Sequence, residues 1–164
     1  MDNDLRHTAI HEAGHAVIGR VLGMGCGYAT IIADDDSAGH GIVGDPWQIL
    51  GDWEQRERYR DASTVFHGRM MSFMAGALAE YEFFGTCEGG DGDDQWQIVM
   101  MAEDGAAVPK RSGIWEADRD RHIDRLRTRT AGLVRRHRGR IAKVADALAE
   151  CGTLSSEEID ALIR

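Results

Sequence analysis

His11-Glu12-Ala13-Gly14-His15 carries two imidazoles and a carboxylate at the HExxH spacing. In a helix, four residues advance about 6 Å and overshoot one turn by about 40°, so both histidines fall on one face. Two ring nitrogens on that face can converge on a single zinc ion at roughly 2.0–2.1 Å each. Glu12 then stands beside the first ligand, placed to take a proton from a water whose pKa the metal has lowered to about 7. The chemistry this pattern supports is metal-assisted hydrolysis of a peptide bond. Chance is the competing explanation, but Ile10, Ala16, Val17 and Ile18 flank the motif and predict a buried segment. Burying two histidines and a glutamate with no partner is costly.

A catalytic zinc also needs a third protein ligand and an open position for water. No further histidine follows at the metzincin spacing, where Gly23 and Gly25 stand instead. The acids Glu88, Asp91, Asp93, Asp94 and the more distant Glu80 are the candidates, and spacing does not choose among them.

Leu5, Ala9, Ala13, Ala16, Val17 and Leu22 form a helical stripe, so the motif lies in a helix over about 5–22, capped by Asn3 or Asp4 and ended by Gly23. Residues 28–32 have the β-branched content of a strand, Asp34-Asp35-Asp36 reads as a turn, and 40–43 reads as a second strand. A second helix is expected over 63–84, with Met70, Phe73, Met74 and Leu78 filling a core. The stretch 46–60, with Trp47 and Trp53, partly extends it. A Gly- and Asp-rich loop over 85–93 precedes a helix starting near Asp94. Long polar helices follow over 116–150, with Gly139 as the expected break. Ser155-Ser156-Glu157-Glu158 has the spacing of a capping box for a last helix over 157–163. The expected fold is mainly α with a small β-sheet (α+β), in one domain spanning 1–164.

Composition narrows the function. The chain has 164 residues, 43% of them hydrophobic, and a formal charge of -9, which makes nucleic acid a poor partner. Nine arginines lie between Arg119 and Arg140, interleaved with Asp120 and Asp124, and read as a solvated helix face. No apolar run approaches the length of a membrane span, so no membrane association is expected. The opening Asp2-Asn3-Asp4 argues against a secretory signal. Cys26, Cys87 and Cys151 are odd in number and form no CxxC pair, which suits reduced thiols in a cytoplasm.

Residues 8–20, Thr8 through Arg20 around the HEAGH core, closely resemble the zinc helix of the FtsH-type peptidase domain. The likeness continues at Thr30-Ile31-Ile32, at Gly39–Val43, along Ala75-Gly76-Ala77-Leu78-Ala79-Glu80-Tyr81-Glu82-Phe83-Phe84-Gly85, and over Gly152–Ile163. The resemblance implies an FtsH peptidase-like zincin fold and a zinc endopeptidase. It implies a third ligand that is an aspartate opening a helix: Asp94, with Asp93 one residue off as the competitor. It also implies that the strand Gly39-His40-Gly41-Ile42-Val43 pairs with an extended polypeptide substrate. Where the family has paired acids, only Glu80 is kept, and Tyr81 takes the second place. Glu80 either orients a zinc histidine or is an ordinary helix acid. His7, one turn before His11, is expected to be a bystander or to hydrogen-bond behind a ligand. His67, His122 and His137 are read as surface residues, and Cys87 as a free thiol.

FtsH proteases carry an ATPase module, but no G-x-x-x-x-G-K-[ST] occurs here and the lysines are only Lys110 and Lys143. Substrates are therefore expected to arrive unfolded or from a partner unfoldase, and a homo-oligomer is left open. Two other functions compete: a weakly catalytic zinc module that regulates a larger protease, and a domain in which zinc is purely structural. A fourth protein ligand would mark the latter, and neither has a use for Glu12.

Overall fold

The computed structural model describes residues 3–32, 40–43, 51, 62–87, 92–104 and 108–164. The HExxH segment lies inside helix α1, Asn3–Val21. Its end is a Schellman motif: Gly23 adopts φ 75° and donates to the Arg20 carbonyl, while Met24 donates to that of Gly19. Only a residue without Cβ takes that left-handed turn at little cost, and the turn feeds the chain straight into strand β1, Cys26–Thr30.

Strand β1 pairs antiparallel with β2, His40–Val43, matching Ala29 to Gly41 and Thr30 to His40. On its other side it pairs with β3, Thr153–Leu154, so the order is β2-β1-β3. The ladder ends two residues earlier than the expected 28–32. The reason is Thr30, whose Oγ1 accepts the Ile32 N–H at 3.1 Å and draws the chain out of the strand. Two expected strands became three because β3 is only two residues long, too short to show any alternation in sequence.

Helix α2, Ala62–Phe84, crosses α1 at close range. Small residues make this possible: a Cβ on Gly14 would stand 2.5 Å from the Ala75 carbonyl oxygen. Ala9, Ala13, Ala16 and Val17 of α1 join Ala75 and Ala79 of α2 in one core, which continues into α5, Arg138–Cys151, through Val144 and Leu148. The opposite face of α2 buries Phe66, Met70 and Met74 against α3, Gly92–Asp104, and α4, Trp115–Arg136. The methionines fill core, as expected.

The break between the long helices falls at His137, not Gly139. His137 leaves helical geometry, with ψ 14°, and Gly139 sits inside the first turn of α5. The closing helix α6, Ser156–Ile163, opens with the anticipated capping box: Glu158 N–H donates to Ser155 Oγ at 3.3 Å, and Ser155 N–H to Glu158 Oε2 at 2.7 Å. Arg20 ties α1 to this helix through Asp160 and the Ser156 hydroxyl. Arginines along α4 and α5 pair with acids, Arg121 with Asp118, Arg127 with Asp124, and Arg135 and Arg138 with Glu82. No helix among the described residues is long and apolar enough to cross a membrane.

Candidate metal centre

The α1 face carrying His11 and His15 is pressed against α2, and that contact fixes both rings. His11 Nδ1 lies 2.7 Å from Glu80 Oε1, and His15 Nδ1 lies 2.8 Å from the Ser72 carbonyl oxygen. A carbonyl and a carboxylate only accept, so each Nδ1 carries the proton. Each Nε2 is left to face the other way, where losing its proton frees a lone pair for a metal.

Both Nε2 atoms face the first turn of α3. Asp94 Oδ2 stands 3.2 Å from His11 Nε2 and 3.1 Å from His15 Nε2. Two ligands at 2.0–2.1 Å from a tetrahedral ion lie about 3.3 Å apart, so the separations suit zinc. The three ligand atoms all lie within 4.8 Å of one another, and His11, His15 and Asp94 could hold a metal ion. Gly76 faces the same point: a Cβ there would be 2.5 Å from His11 Nε2 and 2.6 Å from His15 Nε2. The cradle therefore exists only because position 76 has no side chain. Two imidazoles and a carboxylate are a nitrogen-and-oxygen donor set of the kind zinc takes.

Of the competing acids, Asp94 joins the site and Asp93 is exposed one residue before it. Glu88 and Asp91 lie outside the described residues, as does Gly39. The backbone of His40–Val43 forms β2, at the edge of the sheet among the described strands. Glu12 is 5% exposed on the ligand helix, near enough for its charge to favour protonation of both histidines.

Glu80 is no surface acid. It is 2% exposed, and besides His11 it accepts from His7 Nδ1 at 3.0 Å and from the Cys87 thiol at 3.5 Å. The expectation of a surface position also fails for His122, which is 6% exposed, with Nε2 2.9 Å from that of His67. The surrounding arginines make its stretch of sequence look solvated. Helices α2 and α4 nevertheless pack side by side and enclose it. The Ser72 carbonyl had no signal in sequence, because any residue supplies a main-chain acceptor.

Negative charge around the imidazoles sets their protonation in the metal-free protein. Burial alone would lower His11, but hydrogen bonds to Asp94 and Glu80 outweigh it and push its pKa up to about 10. His15 is likewise lowered by burial and raised on balance, chiefly by the charge of Asp94. Burial would raise Asp94, yet His15 and His11 hold it well below the usual carboxylate range. A raised pKa contributes stability that is complete below the unfolded value of 6.5 and lost as pH climbs through about 10. Metal-free protein should therefore unfold at lower temperature as pH rises across that window. A metal ion held there would have to displace those protons, so its affinity should rise over the same range. Unfolding midpoints of metal-free and zinc-loaded protein at pH 6.5 and about 10 should diverge with pH, and converging curves would mean that metal and proton do not share these nitrogens.

Compared with known proteins, the chain matches no family model and no curated protein.

Proposed function

We propose that this chain is a zinc-dependent endopeptidase of the FtsH type that cleaves unfolded or flexible polypeptides without an ATPase of its own. The observation that carries this is the convergence of His11 Nε2, His15 Nε2 and Asp94 Oδ2 on one point, on a helix that also carries the buried Glu12. Three ligands, with no fourth metal-binding side chain grouped with them among the described residues, leave a coordination position open for chemistry, unlike a structural zinc site. Zinc held by His11, His15 and Asp94 would supply Lewis acidity toward the scissile carbonyl and acidify the attacking water.

The chain's own groups do the rest. Glu12 accepts the proton of that water and returns it to the leaving amine nitrogen. Glu80 and the Ser72 carbonyl hold the two imidazoles by Nδ1, so neither ring needs to reorganise during the reaction. The edge of β2, outermost among the described strands, can add an extended substrate as a further strand, which would bind main chain and make specificity broad. Folded substrates would need a partner unfoldase. None of Cys26, Cys87 and Cys151 is in a disulfide, which suits a reducing cytoplasm.

Casein, a flexible unfolded protein, is the direct test. Zinc-loaded chain should fragment it, a chelator should stop the cleavage, and added zinc should restore it. Intact casein in the presence of protein holding one zinc per chain would overturn the peptidase and leave a zinc-binding module that acts through a partner.

A further inference from the structure

His7 lies one turn before the first ligand and is 6% exposed. Its ring stacks on Phe84, with centroids 3.9 Å apart and planes 22° from parallel. Its Nδ1–H donates to Glu80 Oε2 at 3.0 Å, while the His11 Nδ1–H donates to Oε1 of the same carboxylate at 2.7 Å. One carboxylate is thus held by two imidazoles from successive turns of α1, one at each oxygen.

That division has a mechanical consequence. The terminal torsion of a glutamate is broad and soft, so a carboxylate gripped at one oxygen can turn about its last bond. A second donor at the other oxygen fixes its plane. The plane of Glu80 in turn fixes where His11 Nδ1 is held, and hence where His11 Nε2 points. Groups that orient a ligand from behind in this way commonly tune metal affinity by about 10- to 100-fold.

We propose that His7 is a positioning residue for the metal centre, acting through Glu80 to hold His11 in its ligating orientation. This rests on the reading that His11, His15 and Asp94 hold zinc. A plain packing role against Phe84 is the rival, and two substitutions separate them. His7→Phe keeps an aromatic ring on Phe84 and removes the donor. His7→Asn loses most of the ring but keeps an N–H near the place of Nδ1.

The experiment measures zinc affinity of the full chain by competition with a chelating dye, with the visible absorption of the cobalt-substituted protein as a second readout. His7→Phe should bind zinc about tenfold more weakly, at the lower end of that range, and shift the cobalt band. His7→Asn should regain most of the affinity and the wild-type band. Wild-type affinity in His7→Phe overturns the proposal, and so does a His7→Asn protein no better than His7→Phe. Wild type that takes up no zinc would instead sink the metal reading itself, and this proposal with it.

Discussion

Glu12→Gln is expected to keep its zinc and to lower peptide hydrolysis by about 10²- to 10⁴-fold, the contribution of a positioned general base. The substitution preserves shape, and the two residues have nearly equal helix propensity, so α1 and its packing against α2 should survive. Glu12 is buried on the ligand helix, and its negative charge favours the protonated forms of His11 and His15. Replacing it with a neutral amide weakens the attraction for those protons and for the ion that displaces them alike, so zinc affinity should stay close to that of wild type. An amide can still accept a hydrogen bond from water, but it cannot take the proton. Casein cleavage and a metal count on the same sample decide the matter. Loss of activity with zinc retained assigns the base to Glu12. An unchanged rate would remove it from the mechanism, and loss of both zinc and activity would give it a structural role.

The parts of this site that were legible in sequence are those where chemistry and local structure coincide. His11, Glu12 and His15 lie within five residues, and helix periodicity alone sets their relative placement. Asp94 lies far along the chain in a run of acids, and only the packing of α3 against α2 brings it, rather than Asp93, to the two Nε2 atoms. Glu80 was undecidable for a related reason. Its burial follows from α2 being covered on one side by α1 and on the other by α3 and α4, so an acid on either face is enclosed. The capping box and the Gly23 stop were readable because each is a local hydrogen-bond exchange. The break at His137 was not, because Gly139 is the stronger breaker by propensity and yet lies inside the first turn of α5.

Gly76→Ala should lower zinc affinity by at least about 100-fold, as much as the strongest effects of residues behind a metal ligand, even though alanine is the better helix former by about 1 kcal/mol. The added methyl would stand 2.5 Å from His11 Nε2 and 2.6 Å from His15 Nε2, so both rings cannot stay where they are. Two relaxations are available, and both cost the site. The rings can swing away, which breaks the Nδ1 bonds to Glu80 and Ser72 that fix them. Alternatively α1 can move off α2, which opens the tightly packed seam where Gly14 meets Ala75 and where Ala9, Ala13 and Ala79 are buried. Zinc titration combined with thermal unfolding of the metal-free protein distinguishes the two. Swung rings lower the metal-free midpoint only by the two hydrogen bonds they break, while zinc is lost. A displaced helix lowers it much further, as Gly14→Ala should do by forcing the same seam apart. Wild-type zinc affinity in Gly76→Ala would mean that the ion does not sit between these nitrogens, whatever the spacing of the motif.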